Sequence, residues 1–358
     1  MRFLLAGGGT GGHVNPLLAL AELLRDEGHE VIALGTKEGL EQRLVPERGF
    51  ELATVSRLPL PRKLSIGALS FPFKLLGASL QVRKMIRERQ IDGVVGFGGY
   101  ASAPAYIGAW LTKKPLVIHE ANALAGFANR LGARFTRHRA VAFSNSNLTG
   151  ATLVGMPIRR EVIEGANKID KDQARVELGL DPVLPTLLVT GGSQGARSIN
   201  NAVIDSLPEL SNAGIQVLHI VGEKAGLEEV NQPGYLRLAY CDRMDAAIAA
   251  SDLAISRSGA STVSEFSAAG LPAVFVPYPV GNGEQRHNAG SVVEAGGAEL
   301  CDDKDFTPEF IAERVIPTLS HKATLKRMSE AAKSVGIVDA AERLRDLLYA
   351  AVDTGSHD

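Results

Sequence analysis

Cysteine is scarce in this sequence, which has only Cys241 and Cys301 among its 358 residues. Two cysteines so far apart exclude a disulfide scaffold and a cysteine-based zinc site, and their scarcity is typical of the reducing cytoplasm. Long apolar runs are also missing, since none approaches the roughly 18 residues that a membrane-spanning helix needs. The apolar stretch at the N-terminus is too short for a signal peptide. We therefore expect a protein that is soluble or lies on a membrane without crossing it.

An excess of charge of one sign is lacking as well. The net charge of −2 argues against a protein that binds nucleic acid through bulk positive charge. Hydrophobic residues make up 45% of the chain and charged residues 22%, so long disordered segments are not expected. The length is comfortable for two domains.

Short β-type runs alternate with helix-type runs along the chain, with candidate helices at 17–27 and 200–210. The candidate strands are residues 3–6, 31–34, 94–97, 116–119, 140–143, 186–190, 216–221, 236–240, 253–256 and 273–277. Many are apolar without alternation, as strands of buried parallel sheets are. The pattern predicts a doubly wound α/β architecture.

The predicted elements fall into two similar halves. Each half opens with a strand and a glycine-rich turn, at residues 7–12 and 191–195. Residues 156–172 carry no strand pattern, so we predict one domain over 1–157 and a second over 158–337. Two such halves imply a cleft, with ligands at the carboxyl ends of the strands.

The first glycine turn fits the pattern G-x-G-x-x-G at Gly7, Gly9 and Gly12. Such a turn lets backbone N–H groups at a helix N-terminus approach a diphosphate. A nicotinamide or flavin site would also need an acid near Thr36, and none stands there before Glu38. A purely structural turn would not need six consecutive Gly or Thr residues. A diphosphate site therefore fits best.

His13 follows this turn at the start of a predicted helix. A helix N-terminus disfavours the charged imidazolium, so a neutral His13 is suited to act as a base or a donor toward a ligand. The alternative is a helix-start residue bonded to backbone, and the sequence does not separate the two.

A second glycine turn, Gly98-Gly99-Tyr100, follows another buried strand. In a parallel sheet it would lie beside the first, and two adjacent glycine loops can hold a second diphosphate; the alternative is an ordinary strand-to-helix turn. His119 and Glu120 end the next strand. We expect polar residues there to face the cleft rather than the core, with a hydrogen-bonded core histidine as the alternative for His119.

In the second half, Arg257 follows a strand and precedes a helix whose first turn is rich in Ser and Thr, suited to N-capping. The helix N-terminus can take a diphosphate. Glu265, about one turn in, can accept both hydroxyls of a ribose; the alternative is a capping box with Thr262 or Ser261. Gln285 lies in a polar loop suited to sugar hydroxyls.

Residues 57–90 combine positive charge with apolar side chains, holding eight Lys and Arg residues against one acid. The apolar side chains that share one helical face are Leu69, Phe73, Leu76 and Leu80. Such a face suits the surface of an anionic bilayer, and Trp110 could join it. The alternative is an ordinary buried face with a solvated basic edge.

Over almost its whole length the chain resembles the MurG-type glycosyltransferases. The resemblance rests on residues 8–13, 98–100, 119–122, 191–197 and 257–265. It implies a GT-B fold, an α/β fold of two Rossmann-like doubly wound domains that face a central cleft. It also implies that a helix at about 338–358 crosses back to the first domain and that the second domain holds most of a UDP-sugar.

The resemblance also assigns residues. It places Glu265 on the ribose, Gln285 on the N-acetylglucosamine and the backbone near Cys241 beside the uracil. Further UDP contacts are implied for Ser193, Ala260, Ser261, Thr262, Val263 and Ser264. Contacts from across the cleft are implied for Thr10, Gly11, Gly12, Asn122 and Arg159. Glu284 departs from relatives that carry two adjacent glutamines here, which leaves its role open.

The implied reaction moves N-acetylglucosamine from UDP-N-acetylglucosamine to undecaprenyl-diphospho-muramoyl-pentapeptide, lipid I, to give lipid II of peptidoglycan synthesis. We expect an inverting displacement in which a base takes the proton of the muramoyl 4-hydroxyl, with His13 preferred and Glu120 second. Gly98, Gly99 and Tyr100 would bind the acceptor. The implied location is the cytoplasmic face of the cell membrane, in contact with a cell-wall synthesis complex.

Two D-x-D patterns, at 170–172 and 303–305, match the metal–diphosphate signature of the other large glycosyltransferase fold. Neither follows a buried strand beside a glycine turn, and the first is typical of a helix start. We expect neither metal nor cofactor, and expect helix N–H groups with Arg257 or Arg159 to meet the charge of the leaving UDP. A nucleotide-sugar epimerase, a Rossmann-type redox enzyme and a non-catalytic nucleotide-binding scaffold stay open as alternatives.

Overall fold

The structure, a computed structural model, describes residues 1–58, 66–158, 160–192 and 195–355. The chain forms two compact units: unit 1 is Met1–Arg159 with Asp339–Asp358, and unit 2 is Arg160–Val338. Each unit contains a seven-stranded sheet. Within the described ranges, no helix has both the length and the apolarity that crossing a bilayer demands.

Unit 1 contains a parallel sheet with the strand order β3-β2-β1-β4-β5-β6-β7. Its strands are β1 (Arg2–Ala6), β2 (Glu30–Thr36), β3 (Glu51–Val55), β4 (Gly93–Gly96), β5 (Leu116–Glu120), β6 (Arg139–Val141) and β7 (Thr152–Leu153). Its helices up to the unit boundary are α1 (Gly11–Asp26), α2 (Glu41–Glu47), α3 (Ile66–Glu88), α4 (Ser102–Leu111) and α5 (Phe127–Gly132). The order reverses between β1 and β4, so the loops after these strands lie at the switch point, where doubly wound sheets bind ligands.

Strand β1 shows why this sheet lies between two layers of helices. All four residues from Phe3 to Ala6 are fully buried. Because side chains alternate along a strand, Phe3 and Leu5 enter one core cluster and Leu4 and Ala6 enter another. A strand that is apolar on both faces must be covered on both faces.

Unit 2 contains a sheet with the order β10-β11-β9-β8-β12-β13-β14, parallel except for the antiparallel pair β10–β11. Its strands are β8 (Thr186–Thr190), β9 (Gln216–Ile220), β10 (Val230–Gln232), β11 (Tyr235–Leu238), β12 (Leu253–Ser256), β13 (Ala273–Phe275) and β14 (Ala298–Leu300). Its α-helices are α6 (Arg160–Lys168), α7 (Lys171–Glu177), α8 (Arg197–Asp205), α9 (Leu207–Asn212), α10 (Met244–Ala250), α11 (Ala260–Ala269), α12 (Glu284–Asn288), α13 (Gly290–Glu294), α14 (Pro308–Phe310), α15 (Ile316–Ser320) and α16 (Lys322–Val335). The switch point lies between β8 and β12.

The last helix, α17 (Ala340–Gly355), belongs to unit 1. Leu344, Leu348 and Ala351 lie in the same core cluster as Phe3. Their spacing puts them on one helical face, so this helix completes the cover over one side of the unit 1 sheet.

The doubly wound α/β architecture predicted from the sequence is confirmed in both units. The prediction missed β3, β7, β10 and β14, which are the outer strands of the two sheets. Outer strands are short and partly polar, so they lack the continuous apolar run that marks the central ones. The single helix expected at 200–210 is wrong: two helices meet at Ser206, and Pro208 lies in the first turn of the second, where its missing N–H is tolerated.

Candidate functional site

Helix α1 begins at Gly11, within the first glycine turn, and no side chain caps its N-terminus. Thr10 is the N-cap residue, yet its hydroxyl accepts no bond from the N–H groups of the first helical turn. Gly9 has φ +88°, a left-handed conformation that lets the chain turn from β1 into the helix. The first N–H groups of α1, on Gly11 and Gly12, are therefore suited to bind an anion.

His13 lies in the first turn of α1 with one ring nitrogen fixed. Its Nδ1 is 3.1 Å from the carbonyl oxygen of Gly8 and 3.2 Å from Oγ1 of Thr10. A carbonyl oxygen only accepts, so we assign the proton to Nδ1, which leaves the lone pair on Nε2. Nε2 faces the second glycine turn, where a Cβ on Gly98 would come within 3.2 Å of it. This is the tautomer that a base acting through Nε2 requires.

The second glycine turn lies against the first, as predicted, because β4 pairs with β1. The backbones are so close that a Cβ on Gly99 would lie 2.4 Å from the carbonyl oxygen of Gly8. Tyr100 follows, and the guanidinium of Arg57 lies 4.9 Å from the centre of its ring. Two turns and one cation are thus gathered at the switch point of unit 1.

The expectation that the polar residues ending β5 face outward is wrong for His119 and Glu120, which are 0% and 2% exposed. The alternative of a hydrogen-bonded core histidine is confirmed for His119, whose Nε2 lies 2.8 Å from the carbonyl oxygen of Gly155. The Glu120 carboxylate accepts hydrogen bonds from the N–H groups of Asn122 and Gly126 and from Nδ2 of Asn129, at 2.8–2.9 Å. The strand continues through Glu120, so this side chain turns inward and fastens the loop that follows. A carboxylate so occupied is no candidate for the base.

Unit 2 contains a cavity of about 940 Å³ at the carboxyl ends of β8, β12 and β13. That volume is typical of a site for a small organic ligand. Its lining residues are Gly191, Gly192, Gly195, Ala196, Arg197, Ser198, Asn201, Arg257, Gly259, Thr262, Tyr278, Pro279, Gln285 and Asp303.

The predicted donor residues relate to this cavity in three ways. Arg257, Thr262 and Gln285 line it. The others that the structure describes in unit 2 do not line it: Cys241, Ala260, Ser261, Val263, Ser264 and Glu265. Ser193 and Arg159 lie outside the described residues. Glu265 is half-buried and three residues beyond Thr262, so it shares a helical face with a lining residue.

Helix α11 begins at the wall of the cavity. The expected Ser or Thr N-cap is wrong: the N-cap residue is Gly259, and no side chain caps the helix. Ala260 and Val263 are buried, so any contact they make with a ligand would be through backbone N–H groups. An uncapped helix start in a cavity is suited to a diphosphate.

Arg257 is held by the protein itself. Its guanidinium pairs with Asp303 at 2.5 Å and donates to the carbonyl oxygens of Val276 and Pro277 and to Oγ of Ser198. These bonds leave it few donors for a ligand, so it braces the cavity wall. Asp303, from the second D-x-D pattern, is thereby engaged in an ion pair.

Arg197 is a cavity cation to which the sequence reasoning gave no role. It is the first residue of α8, exposed, and lines the cavity. In the part of the chain that the structure describes, no ion pair engages it. An arginine at a helix start beside a glycine-rich turn is a signal that could have identified it.

Gln285 lies in α12, a short helix where an irregular loop was expected. Its Oε1 accepts a hydrogen bond from the N–H of Tyr278 at 2.9 Å, which leaves its amide hydrogens for a ligand.

Cys241 is half-buried, and burial raises the pKa of its thiol. A neutral thiol suits the apolar wall of a site for a nucleotide base, and it needs no chemical role there.

Metal ligands do not gather in the described parts of the chain: no group of three or more His, Cys, Asp and Glu side chains there could hold an ion. The first D-x-D pattern is a helix start, as predicted. Asp170 is the N-cap residue of α7 and accepts bonds from the N–H groups of Asp172 and Gln173.

Because His119 and His219 are buried, we expect the free energy of unfolding to fall in acid. Burial lowers the pKa of His119 to about 4 and that of His219 to about 3. An unfolded histidine has a pKa of about 6.5, so below that pH the unfolded chain binds more protons and the free energy of unfolding falls. We expect His119 alone to cost about 3 kcal/mol between pH 6.5 and pH 4.

Urea unfolding from pH 7.5 to pH 4.5 measures this loss. Replacement His119→Phe should flatten the pH dependence of unit 1, whereas His287→Ala, at an exposed histidine of unit 2, should leave it intact. Equal stability of the wild-type protein at the two pH limits would contradict the lowered pKa values of the buried histidines.

Helix α3 exposes an apolar face. Leu69 and Phe73 are each 77% exposed, and Leu76 and Leu80 lie exposed on the same face. Trp110, at the end of α4, is also exposed. The alternative of an ordinary buried face is therefore wrong for these five side chains. Arg62 and Lys63, counted in the basic segment, lie outside the described residues.

Comparison with known proteins gives a family match in both halves of the chain. The N-terminal domain of glycosyltransferase family 28 matches residues 3–141, and its C-terminal domain matches residues 186–344. A relative from Clavibacter sepedonicus is 52% identical over 98% of this chain and 96% of its own length. It is named a UDP-N-acetylglucosamine–N-acetylmuramyl-(pentapeptide) pyrophosphoryl-undecaprenol N-acetylglucosamine transferase.

Solved structures agree in fold. The crystal structure of MurG from Acinetobacter baumannii has a TM-score of 0.80 at 28% identity and covers 98% of this chain and 99% of its own. A putative UDP-N-acetylglucosamine 2-epimerase from Listeria monocytogenes has a TM-score of 0.68 at 14% identity, covering 99% and 97%. The second likeness is one of fold alone.

Proposed function

Because the chain belongs to glycosyltransferase family 28, which matches it in both halves, we propose that it transfers N-acetylglucosamine from UDP-N-acetylglucosamine to an undecaprenyl-diphosphate-linked muramoyl-pentapeptide. The observation that carries this proposal is 52% identity over 98% of the chain to a relative named for that reaction. The product is the disaccharide lipid precursor of peptidoglycan.

The donor site is assigned to the cavity of unit 2. The uncapped start of α11 supplies N–H groups for the diphosphate, and Arg197 supplies a cation. Glu265 accepts the ribose hydroxyls from the same helical face as Thr262. Gln285 offers its amide to the N-acetylglucosamine. Arg257 acts by bracing the wall, since Asp303 already neutralises it.

The acceptor site is assigned to the paired glycine turns of unit 1. The start of α1 and the turn at Gly98 and Gly99 present backbone N–H groups for the lipid diphosphate. Thr10, the N-cap residue of α1, borders this region. The donor contacts that the family resemblance implies for Thr10, Gly11, Gly12 and Asn122 remain predictions. The muramoyl 4-hydroxyl is then placed within reach of His13.

The reaction is an inverting displacement. His13 Nε2 takes the proton of the 4-hydroxyl while its oxygen forms a bond to the anomeric carbon. The bond from that carbon to the diphosphate oxygen breaks, and its electron pair leaves with UDP. Helix N–H groups and Arg197 stabilise the charge that builds on the diphosphate.

The competing functions fit less well. The likeness to the epimerase is at 14% identity, which supports a common fold and no common reaction. A nicotinamide enzyme needs an acid free to bind ribose at the end of β2. The carboxylate there belongs to Glu41, which is buried and already accepts hydrogen bonds from the N–H groups of Gly9 and Thr36.

A transfer assay tests the proposed function. Purified protein, UDP-[14C]N-acetylglucosamine and a short-chain lipid-linked muramoyl-pentapeptide should give a labelled lipid disaccharide and one UDP per transfer. Conversion of UDP-N-acetylglucosamine to UDP-N-acetylmannosamine without acceptor would instead identify an epimerase. If no labelled lipid forms, the proposed transferase function is refuted.

The exposed face of α3 is proposed to bind the cytoplasmic surface of the cell membrane. Its apolar side chains stand beside Lys74, Lys84 and Arg87, which attract anionic lipids. Binding there would bring unit 1 to the lipid-linked acceptor and to other enzymes of wall synthesis.

Replacement of Leu69 and Phe73 together by glutamate should weaken binding to anionic vesicles by at least about tenfold, because each buried side chain contributes roughly 1.5–3 kcal/mol. Co-sedimentation with phosphatidylglycerol vesicles measures this. Replacement of Val176 and Val183 together by glutamate is the matched control, since both are exposed apolar residues of unit 2. Unchanged binding of the double variant would contradict the assignment.

A further inference from the structure

A buried carboxylate holds the first glycine turn of unit 1. Glu41, the first residue of α2, is 1% exposed. Its Oε2 accepts a hydrogen bond from the N–H of Gly9, and its Oε1 accepts from the N–H and the hydroxyl of Thr36, each at 2.8 Å. One side chain thus ties the turn after β1 to the end of β2.

Three glycines form the socket for this carboxylate. A Cβ on Gly8 would lie 2.3 Å from Oε1, and one on Gly39 would lie 2.0 Å from Oε2. A Cβ on Gly35 would lie 2.4 Å from the Cγ of Glu41. Any other residue at these positions would displace the carboxylate, so the socket fits this side chain closely.

The carboxylate is charged in the folded protein. Burial raises the pKa of Glu41, but the hydrogen bonds from the N–H groups of Gly9 and Thr36 lower it. The lowering effect is larger, so the net pKa is below its ordinary value. Hydrogen bonds to an ionised carboxylate are roughly twice as strong as neutral ones. The turn is therefore held by charge-assisted bonds.

The hydrogen bonds of Glu41 matter for the reaction because the turn that they hold leads into the helix that carries His13. Gly9, held by Glu41, is followed by Thr10, the start of α1 and His13. The carbonyl of Gly8, which sets the tautomer of His13, precedes Gly9 directly. A shift of the Gly8–Gly9 peptide would move both the base and the N–H groups of the helix start.

We propose that Glu41 is a positioning residue for the transfer reaction, which it serves by fixing the first glycine turn so that His13 and the start of α1 face the acceptor. This inference rests on the proposed function. It extends that function, because Glu41 is buried and lies in none of the motifs that carry the family resemblance.

The test is Glu41→Gln, which keeps the shape but loses the charge and one acceptor. Turnover at saturating substrate should fall by about tenfold or more, and the KM for the lipid acceptor should rise. The KM for UDP-N-acetylglucosamine should stay within twofold, since unit 2 holds the donor. Glu47→Gln, an exposed residue of the same helix with the same change of charge, should behave as wild type.

Hydrogen exchange separates positioning from mere folding. In Glu41→Gln the amides of Gly9 and Thr36 should exchange faster, while those of the β4 core strand keep their wild-type protection. Faster exchange at these amides with turnover within twofold of wild type would overturn the proposal. If Glu41→Gln fails to fold, Thr36→Val removes one donor only; a fall in turnover of about threefold supports the proposal, and none overturns it.

The proposed function and the role of Glu41 are refuted by different results. Wild-type protein without any transfer would remove the proposed function. Wild-type protein that transfers, beside a folded Glu41→Gln variant that transfers equally well, would remove only the role of Glu41.

Discussion

Replacing His13 with alanine is expected to slow glycosyl transfer by about 10²–10⁴-fold, the range over which a positioned base contributes to catalysis. The reason is geometric: Nδ1 donates to the Gly8 carbonyl, which leaves Nε2 as the proton acceptor. Turnover should be measured with saturating donor and lipid acceptor. Binding of UDP, measured by calorimetry, should not change, because the donor cavity belongs to unit 2.

A matched control is His138→Ala, another half-buried histidine of unit 1. It should retain wild-type turnover. Added imidazole should restore part of the activity of His13→Ala, since a small base can enter the space left by the ring. Turnover of His13→Ala within threefold of wild type, with UDP binding intact, would remove His13 from the role of base.

Replacing Glu265 with glutamine is expected to raise the Kd for UDP by about 10–100-fold. A hydrogen bond to a charged group contributes roughly 1.5–3 kcal/mol, and 1.4 kcal/mol is a factor of ten in affinity. The loss should disappear for 2′,3′-dideoxy-UDP, which offers no ribose hydroxyls to either protein. Calorimetry with both nucleotides measures the difference.

Glu294→Gln serves as the control, because Glu294 is exposed on a neighbouring helix of unit 2. Its affinity for UDP should equal that of wild type. If Glu265→Gln weakened UDP and the dideoxy analogue equally, the carboxylate would have a structural role in α11 and the ribose assignment would fail.

The central strands were predictable because burial on both faces leaves a continuous apolar run, as in β1. The outer strands were not, since partial exposure removes that signal. The adjacency of the two glycine turns followed from parallel pairing of β1 with β4, a consequence of doubly wound topology. The inward turn of Glu120 did not follow, because it depends on where β5 ends by one residue.

Long-range pairing explains the other misses. Glu41 reaches Gly9 across 32 residues, and a local pattern does not reveal which backbone a carboxylate will meet. The engagement of Arg257 by Asp303 is likewise a tertiary contact, and it transfers the role of cavity cation to Arg197. Sequence reasoning found the glycine turns and the helix starts, where chemistry and local structure coincide.

A crystal structure of the protein with bound UDP would show which unit holds the donor. We expect the diphosphate within hydrogen-bonding distance of the N–H groups that begin α11, with the ribose beside Glu265. UDP bound instead at the glycine turns of unit 1, with the cavity of unit 2 empty, would contradict it.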